Sequence, residues 1–175
     1  MLFRSRRARR HPCATTEHVF ALGESASQNP RMLAEHALPT DLDARVADLG
    51  RVWSADPDVA AVYLFGSRAE GRAGPRSDVD LAVVLCETTT PDARWRKRLA
   101  LIGDASQRLR TDAVDVVVLE NAPIVLAHRI LSRGRLIGEA DPHRRTAVAE
   151  QVMRRYLDEA PLRAVLDAEI GRAHV

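Results

Sequence analysis

Four residues in one short stretch, Gly66, Ser67, Asp78 and Asp80, have the types and the spacing to bind phosphate and a metal ion. Ten residues separate Ser67 from Asp78, and apolar runs flank the stretch, which reads VYLFGSRAEGRAGPRSDVDLAVVL. Two carboxylates two positions apart on a strand point to the same face, where a cation between them relieves their repulsion. Oxygen ligands suit Mg²⁺, and a Gly-Ser turn before a short helix offers N–H groups and a hydroxyl to phosphate. The stretch therefore predicts phosphoryl or nucleotidyl transfer.

A third carboxylate, Asp115, follows Asp80 by 35 residues and stands within the apolar segment AVDVVVL. Two interpretations fit a carboxylate among β-branched residues. Asp115 either lies on an edge strand or points to the same site as Asp78 and Asp80, completing a three-carboxylate cluster. Asp112 is a weaker candidate for that role because it precedes the strand. Arg68 has two open interpretations, since it either offsets the charge of a bound phosphate or is a surface residue.

The apolar periodicity predicts alternating helices and strands around these residues. It indicates one α/β domain with a small mixed sheet and a C-terminal helical tail. The predicted helices cover 42–55, 91–110, 123–133 and 142–159, with a short helix or turn at Ser67 and a restart at Pro161, and the predicted strands cover 59–65, 78–85, 113–119 and, at an edge, 135–138.

Composition limits the possible partners. Apolar residues make up 46% of the 175 residues, charged residues 29% and aromatic residues 4%, so the core is aliphatic and side chains that stack on bases are scarce. The net charge of +2 is uneven, because six Arg and two Glu give residues 1–31 a charge of +4, which leaves −2 for the remainder. The remainder therefore shows no general nucleic-acid footprint.

Cysteine usage and hydropathy predict a cytoplasmic protein. The two cysteines, Cys13 and Cys86, form no metal-binding pattern, and a reducing compartment fits them. No apolar run reaches the roughly 18 residues of a membrane span. The Arg-rich start is not followed by the apolar region of a secretory signal.

The chain resembles the minimal nucleotidyltransferases of the DNA polymerase β superfamily. Their signature is Gly-Ser, ten residues and Asp-x-Asp, which Gly66-Ser67 and Asp78-Val79-Asp80 match without a gap, and the third carboxylate of these enzymes falls on Asp115. Within the superfamily, the first stretch followed by VDVVVLENAPIVLAHRILSRGRLI is similar to MntA-type antitoxins, the partners of HEPN-domain HepT toxins. The resemblance covers roughly residues 42–162.

The resemblance implies transfer of AMP from ATP to a tyrosine of a HEPN RNase toxin, which silences the toxin, within a hetero-oligomer of the two proteins. It assigns Asp78, Asp80 and Asp115 as catalytic residues and as ligands of Mg²⁺, with a two-ion site expected. It assigns Gly66, Ser67 and Arg68 to nucleotide binding. Neither a membrane nor a nucleic acid is an expected partner.

The expected organisation has three parts: a poorly ordered Arg-rich extension over 1–38, a nucleotidyltransferase domain over 39–139, and a helical tail over 140–175 packed on that domain. Two other functions stay open. One is nucleotidyl transfer to a small molecule, as in aminoglycoside-modifying enzymes, or to a nucleic acid. The other is an antitoxin that masks its toxin by binding alone.

Overall fold

The computed structural model describes residues 39–74, 77–87 and 90–165. The extension predicted over 1–38 and the last ten residues of the predicted tail lie outside the described residues. The described elements follow the predicted order, and their ends agree with the predicted ones within a few residues. They are α1 (Leu42–Ser54), β1 (Val59–Phe65), α2 (Gly66–Ala69), β2 (Val79–Leu85), α3 (Pro91–Leu109), β3 (Val114–Val118), α4 (Ile124–Arg133), β4 (Arg135–Glu139) and α5 (Pro142–Asp158).

The four strands form one mixed sheet in the order β3-β2-β1-β4. β1 pairs antiparallel with β2 and with β4, whereas β2 and β3 are parallel. A parallel pair requires a crossover, which α3 provides between β2 and β3. The predicted fold class, a small mixed sheet flanked by helices, is confirmed.

Helices cover both faces of the sheet, which explains why β1 and β2 are apolar at almost every position. One face packs against α1 and α3, through residues such as Val46, Leu49, Leu81 and Leu101. The other face packs against α4 and α5, and its smaller cluster includes Tyr63, Ala82, Ile130, Val148 and Val152. The C-terminal helix α5 is therefore part of the same core as the sheet.

Two helix starts follow from local sequence. Thr90 caps α3 by accepting a hydrogen bond from the Ala93 N–H, and Pro91 occupies the first turn. Asp141 caps α5 in the same way, accepting from the Arg144 N–H at 2.9 Å. In the described part of the chain, no helix is long and apolar enough to cross a membrane.

Candidate active site

Gly66 joins β1 to α2 in a conformation that glycine alone adopts easily, with a φ of 68°. Its Cα faces the carboxylate of Asp80, and a Cβ at this position would collide with that carboxylate. The approach follows from the strand register, because Phe65 at the end of β1 lies opposite Asp80 on β2. The Gly-Ser turn and the second aspartate of the Asp-x-Asp motif therefore meet at one end of the sheet.

The register also brings Asp115 to this place. Asp80 on β2 and Asp115 on β3 are direct partners in the parallel ladder. Their neighbours Leu81 and Val116 belong to the cluster on the α1 and α3 face. Because successive side chains of a strand point to opposite faces, Asp80 and Asp115 both lie on the α4 side of the sheet. Asp78 precedes β2 by one residue and is exposed.

The pKa of Asp80 reflects repulsion from the other two carboxylates. Burial raises the pKa of Asp80 above its ordinary value, and repulsion from Asp78 and Asp115 raises this pKa further, whereas the nearby Arg68 lowers it. Mutual repulsion of this kind is the condition that a bound cation relieves.

Arg98 of α3 holds Asp115, a contact that local sequence spacing does not predict. Its Nη2 donates to Oδ1 of Asp115 at 3.1 Å, and its Nε donates to the Val116 carbonyl oxygen at 2.5 Å. The crossover topology places α3 beside β3, but several arginines on that helix were equal candidates. Asp115 itself is exposed on an edge strand, with 54% of its side chain accessible.

Arg68 connects the short helix α2 to the segment before Asp78. Its Nη2 donates to the Ser77 carbonyl oxygen at 3.1 Å, and its buried Nε has no hydrogen-bond partner within the described residues. Arg68 is therefore not a free surface residue, and its role beside a phosphate stays a prediction. Ser67 lies beside it on α2 and is partly exposed.

The donor set suits a hard divalent cation, because it consists of carboxylate oxygens around Asp80 that repel one another. Within the described residues, however, the side chains do not form a group of three or more His, Cys, Asp or Glu already arranged to hold a metal ion. The ion pair between Arg98 and Asp115 occupies one oxygen of the third carboxylate. The residues fit Mg²⁺ in chemistry, while Asp115 is engaged by an arginine.

A cleft opens beside these residues on the α4 side of the sheet. It has a volume of about 220 Å³, and Gly66 and Asp80 line one wall. Helix α4 supplies another wall, which includes two arginines, Arg129 and Arg133. Of the three aspartates, Asp80 lines this cleft, and Glu70, which pairs with Arg129, is a second carboxylate in the lining.

Comparison with known proteins decides the family. The sequence profile described as Polymerase beta, Nucleotidyltransferase matches residues 48–143, more than half of the chain. The chain belongs to this nucleotidyltransferase family. The matched region contains Gly66, Ser67, Asp78, Asp80 and Asp115, together with the whole sheet.

Three relatives of this nucleotidyltransferase are informative. The chain is 34% identical over 79 residues to the protein adenylyltransferase MntA of Shewanella oneidensis, a match of 45% of this chain and 53% of that protein, so it spans about half the length of the curated relative. A chain from a crystal structure of a toxin-antitoxin with AMP-PNP is 26% identical, with a TM-score of 0.56, covering 73% of this chain and 98% of that chain. A chain from a mutant of the toxin-antitoxin MntA-HpeT is 25% identical, with the same TM-score and coverage.

Proposed function

We propose that this nucleotidyltransferase is a protein adenylyltransferase that uses Mg²⁺ and ATP, and that it acts as an antitoxin by transferring AMP to a tyrosine of a HEPN-domain RNase toxin. The observation that carries the proposal is the meeting of Gly66, Asp80 and Asp115 at one end of the sheet, beside a cleft. A cytoplasmic location and a hetero-oligomer with the toxin belong to the same proposal.

The relatives support the choice of acceptor. The curated relative is a protein adenylyltransferase, and the structural relatives include a toxin-antitoxin with AMP-PNP. The charge of the chain points in the same direction, because residues 32–175 carry −2 and should repel a polyanionic acceptor.

Each residue of the site has a role in this reaction. The hydroxyl of the acceptor tyrosine attacks the α-phosphorus of ATP, the bond from that phosphorus to the β-phosphate oxygen breaks, and pyrophosphate leaves. Asp115 accepts the proton of the attacking hydroxyl, once its carboxylate is released from Arg98. Gly66 lets the backbone approach a phosphate closely, and Ser67 donates its hydroxyl to that phosphate. Arg68 offsets the charge of the phosphate and also holds the segment before Asp78 in place.

Asp78, Asp80 and Asp115 would hold the Mg²⁺, which supplies charge neutralisation to the phosphates. The repulsion that raises the pKa of Asp80 supports this assignment, because a cation would convert an unfavourable group of charges into a favourable one.

The test offers several acceptors at once. Purified chain, Mg²⁺ and ATP labelled at the α-phosphate are incubated with a HEPN toxin, with the toxin whose acceptor tyrosine is replaced by phenylalanine, with bulk tRNA and with a panel of aminoglycosides. We expect label on the toxin and none on its phenylalanine variant. Label on tRNA or on an aminoglycoside, with none on protein, would replace this proposal by the corresponding alternative. Inhibition of the toxin without any label would show an antitoxin that acts by binding alone.

A further inference from the structure

The cleft beside Asp80 has a basic wall that has no role in the reaction proposed for the aspartates and the Gly-Ser turn. Helix α4 contributes Arg129 and Arg133, which are one helical turn apart and both line the cavity. Leu126 and Ile130 of the same helix supply apolar contacts, so the two guanidinium groups are the charged part of this wall.

The backbone fixes this wall close to the Gly-Ser turn. Gly134 ends α4, and a Cβ there would lie 3.3 Å from the carbonyl oxygen of Leu64 in β1. Arg135 then pairs with Leu64 in the sheet. Arg133 directly precedes these two residues, so the backbone holds it close in space to the end of β1 and to Gly66.

The two arginines differ in their partners. Arg129 lies 3.6 Å from Oε1 of Glu70, and Glu70 also pairs with Arg72. Arg133 forms no ion pair within the described residues. A cation in the last turn of a helix is favoured by the helix dipole, but the dipole does not explain why Arg129 and Arg133 share the side that faces the cleft.

Size and charge indicate which part of a nucleotide the cleft accepts. Its volume of about 220 Å³ is below the roughly 300 Å³ at which pockets for whole drug-sized ligands begin. Arginines bind phosphate groups in a bidentate manner. Phe65, Leu126 and Ile130 make part of the lining apolar, so the two arginines and the small volume, rather than the lining as a whole, indicate phosphate groups.

We propose that Arg133, assisted by Arg129, binds the β- and γ-phosphates of the nucleotide and then the pyrophosphate that leaves. The inference rests on the proposed function and adds the residues that hold the leaving group. When the acceptor oxygen bonds to the α-phosphorus, the electron pair of the breaking bond goes to the pyrophosphate oxygen. The guanidinium of Arg133 offsets that charge while Asp80 remains on the side of the α-phosphate.

The test measures binding to the full chain in Mg²⁺, with pyrophosphate, AMP and an ATP analogue whose α–β bridge resists cleavage as probes. Arg133→Gln should weaken binding of the analogue and of pyrophosphate about tenfold, equal to about 1.4 kcal/mol, and leave AMP binding unchanged within about twofold. Arg133→Lys should lose less, since it keeps the charge but not the bidentate geometry. Arg135→Gln is the matched control, because Arg135 is exposed on β4 and does not line the cleft.

Each contrary result has its own meaning. Unchanged analogue binding in Arg133→Gln, or equal losses for analogue and AMP, would overturn the inference and leave the proposed function standing. Unchanged binding with reduced transfer would assign Arg133 to the acceptor protein and would also overturn it. A wild-type chain that binds neither the analogue nor pyrophosphate would overturn the proposed function itself. Chemical unfolding of each variant confirms that all are compared in the folded state.

Discussion

Asp80 is the residue for which stability and the proposed activity have opposite requirements. It is partly buried, it lies against Gly66 and opposite Phe65, and it is repelled by Asp78 and Asp115. Its charge therefore opposes folding in the absence of a cation, while the proposed reaction requires that charge.

Replacing this carboxylate should separate stability from activity. Asp80→Asn should raise the melting temperature at neutral pH without divalent ions and reduce AMP transfer by about a hundredfold or more. The folded-state pKa of Asp80 is raised, so its deprotonation destabilises the fold as the pH rises through that pKa. The gain in Tm should therefore vanish as the pH falls to 3.8 and below.

Asp112→Asn is the control, because Asp112 is an exposed aspartate before β3. A lower melting temperature for Asp80→Asn in the absence of metal would show that the carboxylate stabilises the fold through contacts rather than straining it.

Gly66 offers a second prediction at the scale of a residue. Gly66→Ala should lower the free energy of unfolding by about 1–3 kcal/mol, because alanine is strained at positive φ and its Cβ would displace the Asp80 carboxylate. Gly103→Ala is the matched control, since Gly103 lies on α3 with open space around it. Alanine there should raise the free energy of unfolding by as much as about 1 kcal/mol, because it favours the helix. Denaturant midpoints measure both. Equal effects at the two glycines would contradict the close approach of Gly66 and Asp80.

The sequence predicted some of these residues and missed others for identifiable reasons. An edge position and completion of a three-carboxylate cluster were alternatives for Asp115. The structure places Asp115 on the edge strand β3 as the ladder partner of Asp80. The described residues do not form a group of three carboxylates arranged to hold a metal ion, so the cluster stays a prediction. The catalytic and metal-binding roles of the aspartates remain predictions. Arg98 and Arg133 were missed because their positions depend on helix packing, which local spacing does not encode.

At the scale of elements, one partly buried cation joins α3 to the turn between α1 and β1. Lys97 donates hydrogen bonds to Asp56 at 2.6 Å and to Asp58 at 2.9 Å, in the turn between α1 and β1. Burial lowers the pKa of Lys97, but the hydrogen bonds to Asp56 and Asp58 and the charges of these two carboxylates together raise the pKa. The turn and the helix are therefore joined by the only lysine in the chain.

Removing this cation should loosen α3. Lys97→Met should cost about 1–2 kcal/mol in the free energy of unfolding, whereas Arg51→Gln, at an exposed pair with Asp48, should cost less than about 0.5 kcal/mol. Because the folded-state pKa of Lys97 is raised, its contribution is present below pH 10.5 and is lost as the pH rises above it. Urea titrations at pH 7 measure the difference. Equal costs for the two variants would mean that the Lys97 contacts add nothing beyond a surface pair.

Element boundaries followed from apolar periodicity, whereas one packing contact did not. Gly50 in α1 and Gly138 in β4 let the two backbones touch, because a Cβ on either would collide with the carbonyl of the other element. A glycine inside a helical pattern suggests close packing, but it does not identify the partner. The sequence therefore predicted the edge strand without showing what it packs against.

In the whole molecule, the residues of the proposed reaction lie at one end of a sheet that helices cover on both faces. Gly66, Asp80 and the arginine wall border a single cleft, and Asp115 is the ladder partner of Asp80. The fold class followed from the sequence because the apolar runs and the signature agree, and the family match confirms it. A nucleotidyltransferase differs from a kinase in the group that it transfers, because the acceptor attacks the α-phosphorus rather than the γ-phosphorus. Which phosphorus is attacked depends on which phosphate the carboxylates face.

The most direct test of the central claim follows each phosphate of ATP separately. The full chain is incubated with Mg²⁺, a HEPN toxin and ATP labelled at either the α- or the γ-phosphate, beside the Asp80→Asn variant. We predict that the α-label joins the toxin, that the γ-label is released as pyrophosphate, and that the variant transfers the α-label at least about a hundredfold more slowly. Transfer of the γ-label to the toxin, or undiminished transfer of the α-label by folded Asp80→Asn, would contradict a nucleotidyltransferase built on these carboxylates.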